Sequence, residues 1–561
     1  MSPSVAAALA IAGYALGYKL YSGYLARRIF ELDENAVTPA HALRDDVDYV
    51  PTRPVILFGH HFASITGLAP MLGPAIAVIW GWVPAMLWVV CGAVFIGCVH
   101  DFSALVLSVR NRGMSVGQIA EGLLGARGRT LFHLIIFFGV ALAMGVFVLV
   151  ISGLFESVPD EATGAGGYST AVLPSGLLMV VALVCGWLLY RKNMPLLPVI
   201  AVGFAVELAS IWLGMELPTM GLARASWPGA TSWTFVLLAY AFLASVLPVW
   251  ALLQSRDFLN SLLLYLGMGL AYVGFFVLAP DFAAPAFAPS PAEAPPMLPF
   301  VFITIACGAA SGFHGLVSSG TTAKQLDKET DARAIGYGGM IGESLLGLLA
   351  VLACTAGFAS RDAWHAHYAS WEGAGSLKAE IGAFIDGTAS FVTTLGVGTE
   401  LARALIAMVV VSFALTTLDS ATRLLRFNIE EIGQSFRAPF SQNRYLSTTI
   451  ACAAIGFFAL YEVDGKPAGL SLWALFGTTN QLLAGLTLTL VTLYLRKRGK
   501  PTWCTAVPAV FMMGSTLSAM VVNLGGFRKD PVLFAVGVVL LLLGLWLLVE
   551  AVLALRPRRA T

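Results

Sequence analysis

Two histidines stand side by side in Phe58-Gly59-His60-His61-Phe62-Ala63-Ser64-Ile65-Thr66-Gly67, inside an otherwise apolar run. Histidine titrates near physiological pH, so His60 or His61 could carry a proton or donate to a carboxylate. Adjacent helical positions point about 100° apart. One ring would then face a site and the other a neighbouring helix, or both would bond to carbonyls of an interrupted helix. Asp101 follows His100 in the next apolar run, where a buried acid is costly unless paired or protonated. Gln254 precedes Arg256 and Asp257, which read either as a gate or hinge ion-pair network or as a substrate clamp. His314 leads into Ser318, Ser319, Thr321, Thr322, Lys324 and Gln325. Hydroxyls at that density suit a hard cation such as sodium, at Ser318, Ser319 and Thr322, or they simply allow close helix packing. Glu207 and Glu343 are acids within spans, and Asp419 follows Thr416 and Thr417 in another.

These groups must be held at membrane depth. The chain has 561 residues, 58% hydrophobic and 12% charged, against roughly 25% charged in soluble domains. That composition predicts an all-α polytopic membrane protein. About fifteen apolar runs are long enough to cross a bilayer. The first runs over residues 3–25 and is read as a membrane helix rather than a cleavable signal. Basic loops, such as those with Arg27/Arg28, Arg110/Arg112 and Arg496/Lys497, alternate with acidic or sparsely charged ones. The positive-inside rule then places the N-terminus outside and the C-terminus in the cytoplasm. Residues 359–398 form an external loop, in which Phe384 to Phe391 would make a short interfacial helix and His365 and His367 a surface pair.

Gly59, Ser64, Gly67 and two prolines interrupt the run 56–79, and Pro248 and Trp250 interrupt the run 232–254. Paired interruptions in spans of opposite direction mark inverted-repeat transporters. Residues 56–421 would be a ten-helix five-plus-five core. It is preceded by one helix and a loop (1–55) and followed by four helices (422–561). Asn480 and Gln481 interrupt a span outside that core, where packing or an interface is expected.

Several classes are excluded. A net charge of +1 gives no reason for nucleic acid. The seven cysteines show no CxxC pairing and read as buried small hydrophobes, so no metal set is expected beyond the sodium alternative. No nucleotide loop or nucleophile–base pair appears, so the chain is not read as an enzyme and needs no cofactor other than a coupling ion.

Gly59 to Ile65, Leu247-Pro248-Val249-Trp250 with Gln254 and Arg256-Asp257, Ser311-Gly312-Phe313-His314 with Ser318 to Thr322 and Lys324-Gln325, Asp331 to Gly338, Thr416 to Asp419, and Leu475-Phe476-Gly477 with Asn480 to Leu482 follow in order along most of the chain. Together they resemble the carbon starvation protein A (CstA-type) family. The resemblance implies a bacterial inner-membrane secondary transporter with a LeuT-like core. Its members are linked to uptake of peptides or of pyruvate under nutrient limitation, the pyruvate branch being proton-coupled. It also implies a family N-terminal region to about residue 385 and a C-terminal five-helix region from near 390.

The expectation is an alternating-access symporter for pyruvate or another small carboxylate, with di- or tripeptides as the alternative and a non-transporting nutrient sensor as a third reading. Substrate would meet Gly59, His60, His61, Ser64, Gly67, Pro248, Trp250, Gln254 and His314. Coupling would involve Ser318, Ser319, Thr321, Thr322, Lys324 and Asp101. Arg256, Asp257 and Asp419 would form the gate or structural network. Protons are favoured over sodium because His60, His61, His314 and Lys324 can replace a cation.

Overall fold

Pro54 opens a helix at a position where its missing N–H costs nothing. That helix, Pro54–Ile65, ends when Thr66 turns extended (φ −79°, ψ 99°). The chain resumes as Ala69–Trp80, bent by 47°. Pro70 lies in the first turn of the second half, where proline fits a helix start but not a helix interior. Gly67 is required by space: a Cβ there would lie 2.7 Å from Thr417 Oγ1 and 2.8 Å from Phe147 Cε2. The run 56–79 is thus a broken helix, as its glycines and prolines led us to expect.

These details come from a computed structural model that describes residues 1–46, 48–158, 167–248, 251–371, 377–438, 443–463 and 465–555. The fold is all-helical apart from one two-stranded ribbon, Glu462–Val463 with Lys466–Pro467. Among the described residues, ten helices are long and apolar enough to cross a membrane, and the bent pair makes up to eleven. Ala230–Val246 and Arg444–Ala459 are apolar but shorter.

A second broken helix comprises Met297–Thr304 and Gly312–Gly320. Its break needs Gly308, whose φ of +85° lies in the left-handed region, and extended Ser311. The two broken helices run antiparallel. His61 bonds to Thr322, Pro70 packs on Gly308, and Gly73 approaches Thr304 so closely that a Cβ would lie 2.5 Å from its carbonyl oxygen. The breaks therefore meet.

Residues 244–248 behave differently from a mid-span interruption. Pro248 is exposed, in the connection between Ala230–Val246 and Leu253–Leu278. Proline ends one helix there instead of breaking a single span. The break that packs against the first is 305–311. Trp250 lies outside the described residues.

Loops carrying basic residues gather on one face. Val50 N donates to Lys324 O, Arg110 pairs with Glu329 at 2.6 Å, Lys328 with Glu34 at 2.8 Å and Lys500 with Glu31 at 2.6 Å. Its hydrogen bond to Lys328 holds the Glu34 carboxyl below the ordinary carboxylate range. Within residues 359–398 the structure corrects one expectation. The helix is longer, Leu377–Thr393, and largely buried within the bundle rather than interfacial. Small residues allow this: Gly387 lies against the Ala353 carbonyl, and Phe391 against Gly274. His367 approaches Glu380 at 3.6 Å, while His365 stays exposed.

Candidate transport site

The adjacent histidines reach different elements. His60 Nδ1 lies 2.9 Å from Asp257 Oδ2 in Leu253–Leu278, with Ser64 Oγ donating to the same oxygen at 3.4 Å. His61 Nδ1 lies 2.8 Å from Thr322 Oγ1, just past the second broken helix. Gly59 permits the approach, because a Cβ there would meet Phe258 and Ser261.

Asp257 continues the network. Its Oδ1 accepts from Arg256 at 2.8 Å, and Arg256 also pairs with Asp419 in Thr399–Ser435. Tyr240 donates to Asp419 and accepts from Arg256 at 2.7 Å. Asn260 Nδ2 donates to Thr416 Oγ1 at 2.6 Å. His60, Asp257, Arg256 and Asp419 are all buried. One guanidinium stands between two carboxylates, and the buried Arg423, close enough to act on Asp257 and Arg256, adds a second positive charge to the neighbourhood. Uncompensated charge at this depth is expensive.

A second cluster centres on Asp101. His100 Nδ1 and His314 Nδ1 each lie 2.7 Å from one of its oxygens. His314 Nε2 then stands 3.0 Å from Glu343 Oε2 in Glu329–Ala356. That contact lacks hydrogen-bond alignment, and neither Glu343 oxygen has a hydrogen-bond partner. Cys307, His314 and Glu343 place a ligand atom each within 4.8 Å of one another. The sequence suggests an inert thiol at Cys307 and no metal set. The break returns the chain so that the Cys307 sulfur stands beside His314 and Glu343.

The hydroxyls do not point to one place. Ser319 Oγ donates to Gly315 O at 2.7 Å and accepts from Val116 N. Thr321 Oγ1 donates to Val317 O at 3.0 Å, Thr322 serves His61, and Ser318 Oγ is buried without a partner. Gln254 Nε2 donates to Gln325 Oε1 at 3.1 Å. Lys324 Nζ lies over the rings of Tyr49 (5.4 Å) and Phe427 (5.6 Å). It lines a cavity of about 260 Å³ that also borders Ser319, Glu430 and Glu431. Glu207 is buried with neither oxygen bonded.

The second break is closed by a helix for which the sequence suggests only packing. In Gly469–Lys497, Asn480 Oδ1 accepts from Phe313 N at 3.0 Å and from Ser311 Oγ at 3.2 Å. Gln481 Nε2 donates to Phe302 O at 3.0 Å and Ala306 O at 3.4 Å. Free ends of two half-helices are thus satisfied from a third helix. Sequence reasoning misses Tyr240, Asn260, Asn480 and Gln481 as site residues. A polar side chain within an apolar run is their only signal.

The family model described as carbon starvation protein CstA matches residues 4–370 and 357–519. This chain belongs to the CstA family. Among similar relatives, the peptide transporter CstA of Campylobacter jejuni is 33% identical over 93% of this chain and 79% of its own length. The peptide transporter CstA of Bacillus subtilis is 33% identical over 84% of this chain and 82% of its own. The pyruvate/proton symporter BtsT of Escherichia coli is 31% identical over 92% and 81%. Of solved structures, a point mutant of the Eremococcus coleocola manganese transporter superposes with a TM-score of 0.50 at 12% identity, covering 91% of this chain and 98% of that one. That likeness is one of fold. These relatives support a secondary transporter in a multi-pass membrane protein and give no sign of an enzyme.

Proposed function

We propose that this CstA-family chain is a proton-coupled importer of short peptides, working by alternating access at the two facing breaks. The observation that carries the coupling is the buried His60–Asp257 pair at 2.9 Å, which joins the first broken helix to the Arg256–Asp257–Asp419 set. A proton taken up at this pair would change the charge at the contact between the two elements, and its release would restore it. Because His60 sits on the first broken helix and Asp257 and Asp419 on intact neighbours, protonation acts between the moving and standing parts. The uncapped start of Ala69–Ala77 would receive a substrate carboxylate. Membership in the family supports placing the chain in a bacterial inner membrane, and the loop charges support an external N-terminus. The core assigned to 56–421 contains both breaks.

The cavity supports a zwitterionic cargo. Lys324, Glu430 and Glu431 all line it, so a cargo on its way to the breaks would meet both a cation and carboxylates. A short peptide carries both complementary ends, whereas pyruvate carries only one. Pyruvate remains the second reading, supported by the 31% identity to BtsT. Uptake of labelled dipeptide and of pyruvate into proteoliposomes, under a proton or a sodium gradient, decides between them. Peptide accumulation that a protonophore abolishes and sodium leaves unchanged supports the proposal. Sodium-driven uptake overturns the coupling. Pyruvate uptake untouched by peptides overturns the cargo.

A further inference from the structure

Apart from any cargo, we infer that Cys307, His314 and Glu343 form a resident site for a divalent transition-metal ion. His314 donates Nδ1–H to Asp101 at 2.7 Å, which leaves Nε2 as a lone-pair donor. Metal-binding histidines are typically oriented by a carboxylate on the other ring nitrogen. Nε2 and Glu343 Oε2 stand 3.0 Å apart, yet the pair is not aligned as donor and acceptor. Both Glu343 oxygens are fully buried, and the groups near them, His314 and the Gly308 N–H, do not reach good hydrogen-bond geometry, a costly state for a carboxylate with no cation. The Cys307 thiol completes the set within 4.8 Å. Ligand atoms on a tetrahedral ion lie roughly 3.3–3.6 Å apart, so a small inward shift closes the site. One sulfur, one imidazole and one carboxylate suit zinc or ferrous iron rather than sodium or magnesium.

The ligands come from the second break, the half-helix after it and the intact Glu329–Ala356. The ion would tie the break to that neighbour. A fully protonated His314 bridging Asp101 and Glu343 is the competing account, and it needs no ion.

The test uses the whole detergent-solubilised protein, made without a histidine tag. Metal content is measured, and the metal-free protein is titrated with Co²⁺. The expected result is about one zinc or iron per chain, and a thiolate-to-cobalt absorption band saturating at one equivalent. Cys307→Ser should abolish the band, and Asp101→Asn should weaken Co²⁺ binding about 10- to 100-fold. The titration of the unsubstituted protein needs no variant to fold. No band at excess Co²⁺, or a band that survives Cys307→Ser, overturns the inference.

Discussion

Arg256 is the residue on which the first cluster turns, because it holds two buried carboxylates from different helices. Removing one partner of a buried ion pair leaves an uncompensated charge and costs about 3–5 kcal/mol. Arg256→Ala should therefore lower stability by that order in denaturant unfolding in detergent. His60→Gln is expected to act otherwise. The amide can still donate an N–H to Asp257 but cannot take up or release a proton, so proton-driven accumulation should fall at least tenfold while substrate exchange at equal pH persists. Counterflow measurements separate the two. At this scale the sequence was only partly legible. His60, His61, Asp101, Arg256, Asp257 and Asp419 stood out because charge in an apolar run is costly. Their pairing did not, since His60 and Asp257 are 197 positions apart. Cys307 stayed hidden because a buried thiol and a small hydrophobe look alike in sequence.

Among the elements, the two broken helices are held unequally. The second is fastened on both sides of its gap by Asn480 and Gln481. Among the described residues, the gap of the first has a 3.4 Å bond from Thr417 Oγ1 to Thr66 O. Asn480→Ala leaves the Phe313 N–H unpaired and should cost about 1–3 kcal/mol, read as a lowered unfolding midpoint. Gly73→Val places side-chain atoms against the Thr304 backbone, where overpacking costs about 1–3 kcal/mol. It should stop transport while the protein still elutes as a folded species on size exclusion. The first break was legible from Gly67, Pro70 and Gly73, residues that a straight lipid-facing helix does not need. The interruption expected at Pro248 falls between two helices, because a proline reads alike at a helix end and in a break. The small-residue stretch within 305–311 that packs against the first break was noticed for its hydroxyls instead.

Across the whole molecule, the all-helical architecture followed from composition, and loop charge anticipated which loops meet on one face. Glu31, Glu34 and Glu329 join Lys500, Lys328 and Arg110 there. What composition could not reveal is that a helix outside the expected core completes a half-helix inside it, since that depends on tertiary packing alone. The central claim concerns how His60 and the carboxylates around Arg256 convert a proton gradient into uptake. The most direct measurement is accumulation of a labelled dipeptide in proteoliposomes under an inward proton gradient, with Asp257→Asn beside the unsubstituted protein. The account predicts accumulation that collapses with a protonophore, and an Asp257→Asn protein that exchanges peptide but does not accumulate it. Full gradient-driven accumulation by Asp257→Asn would contradict it.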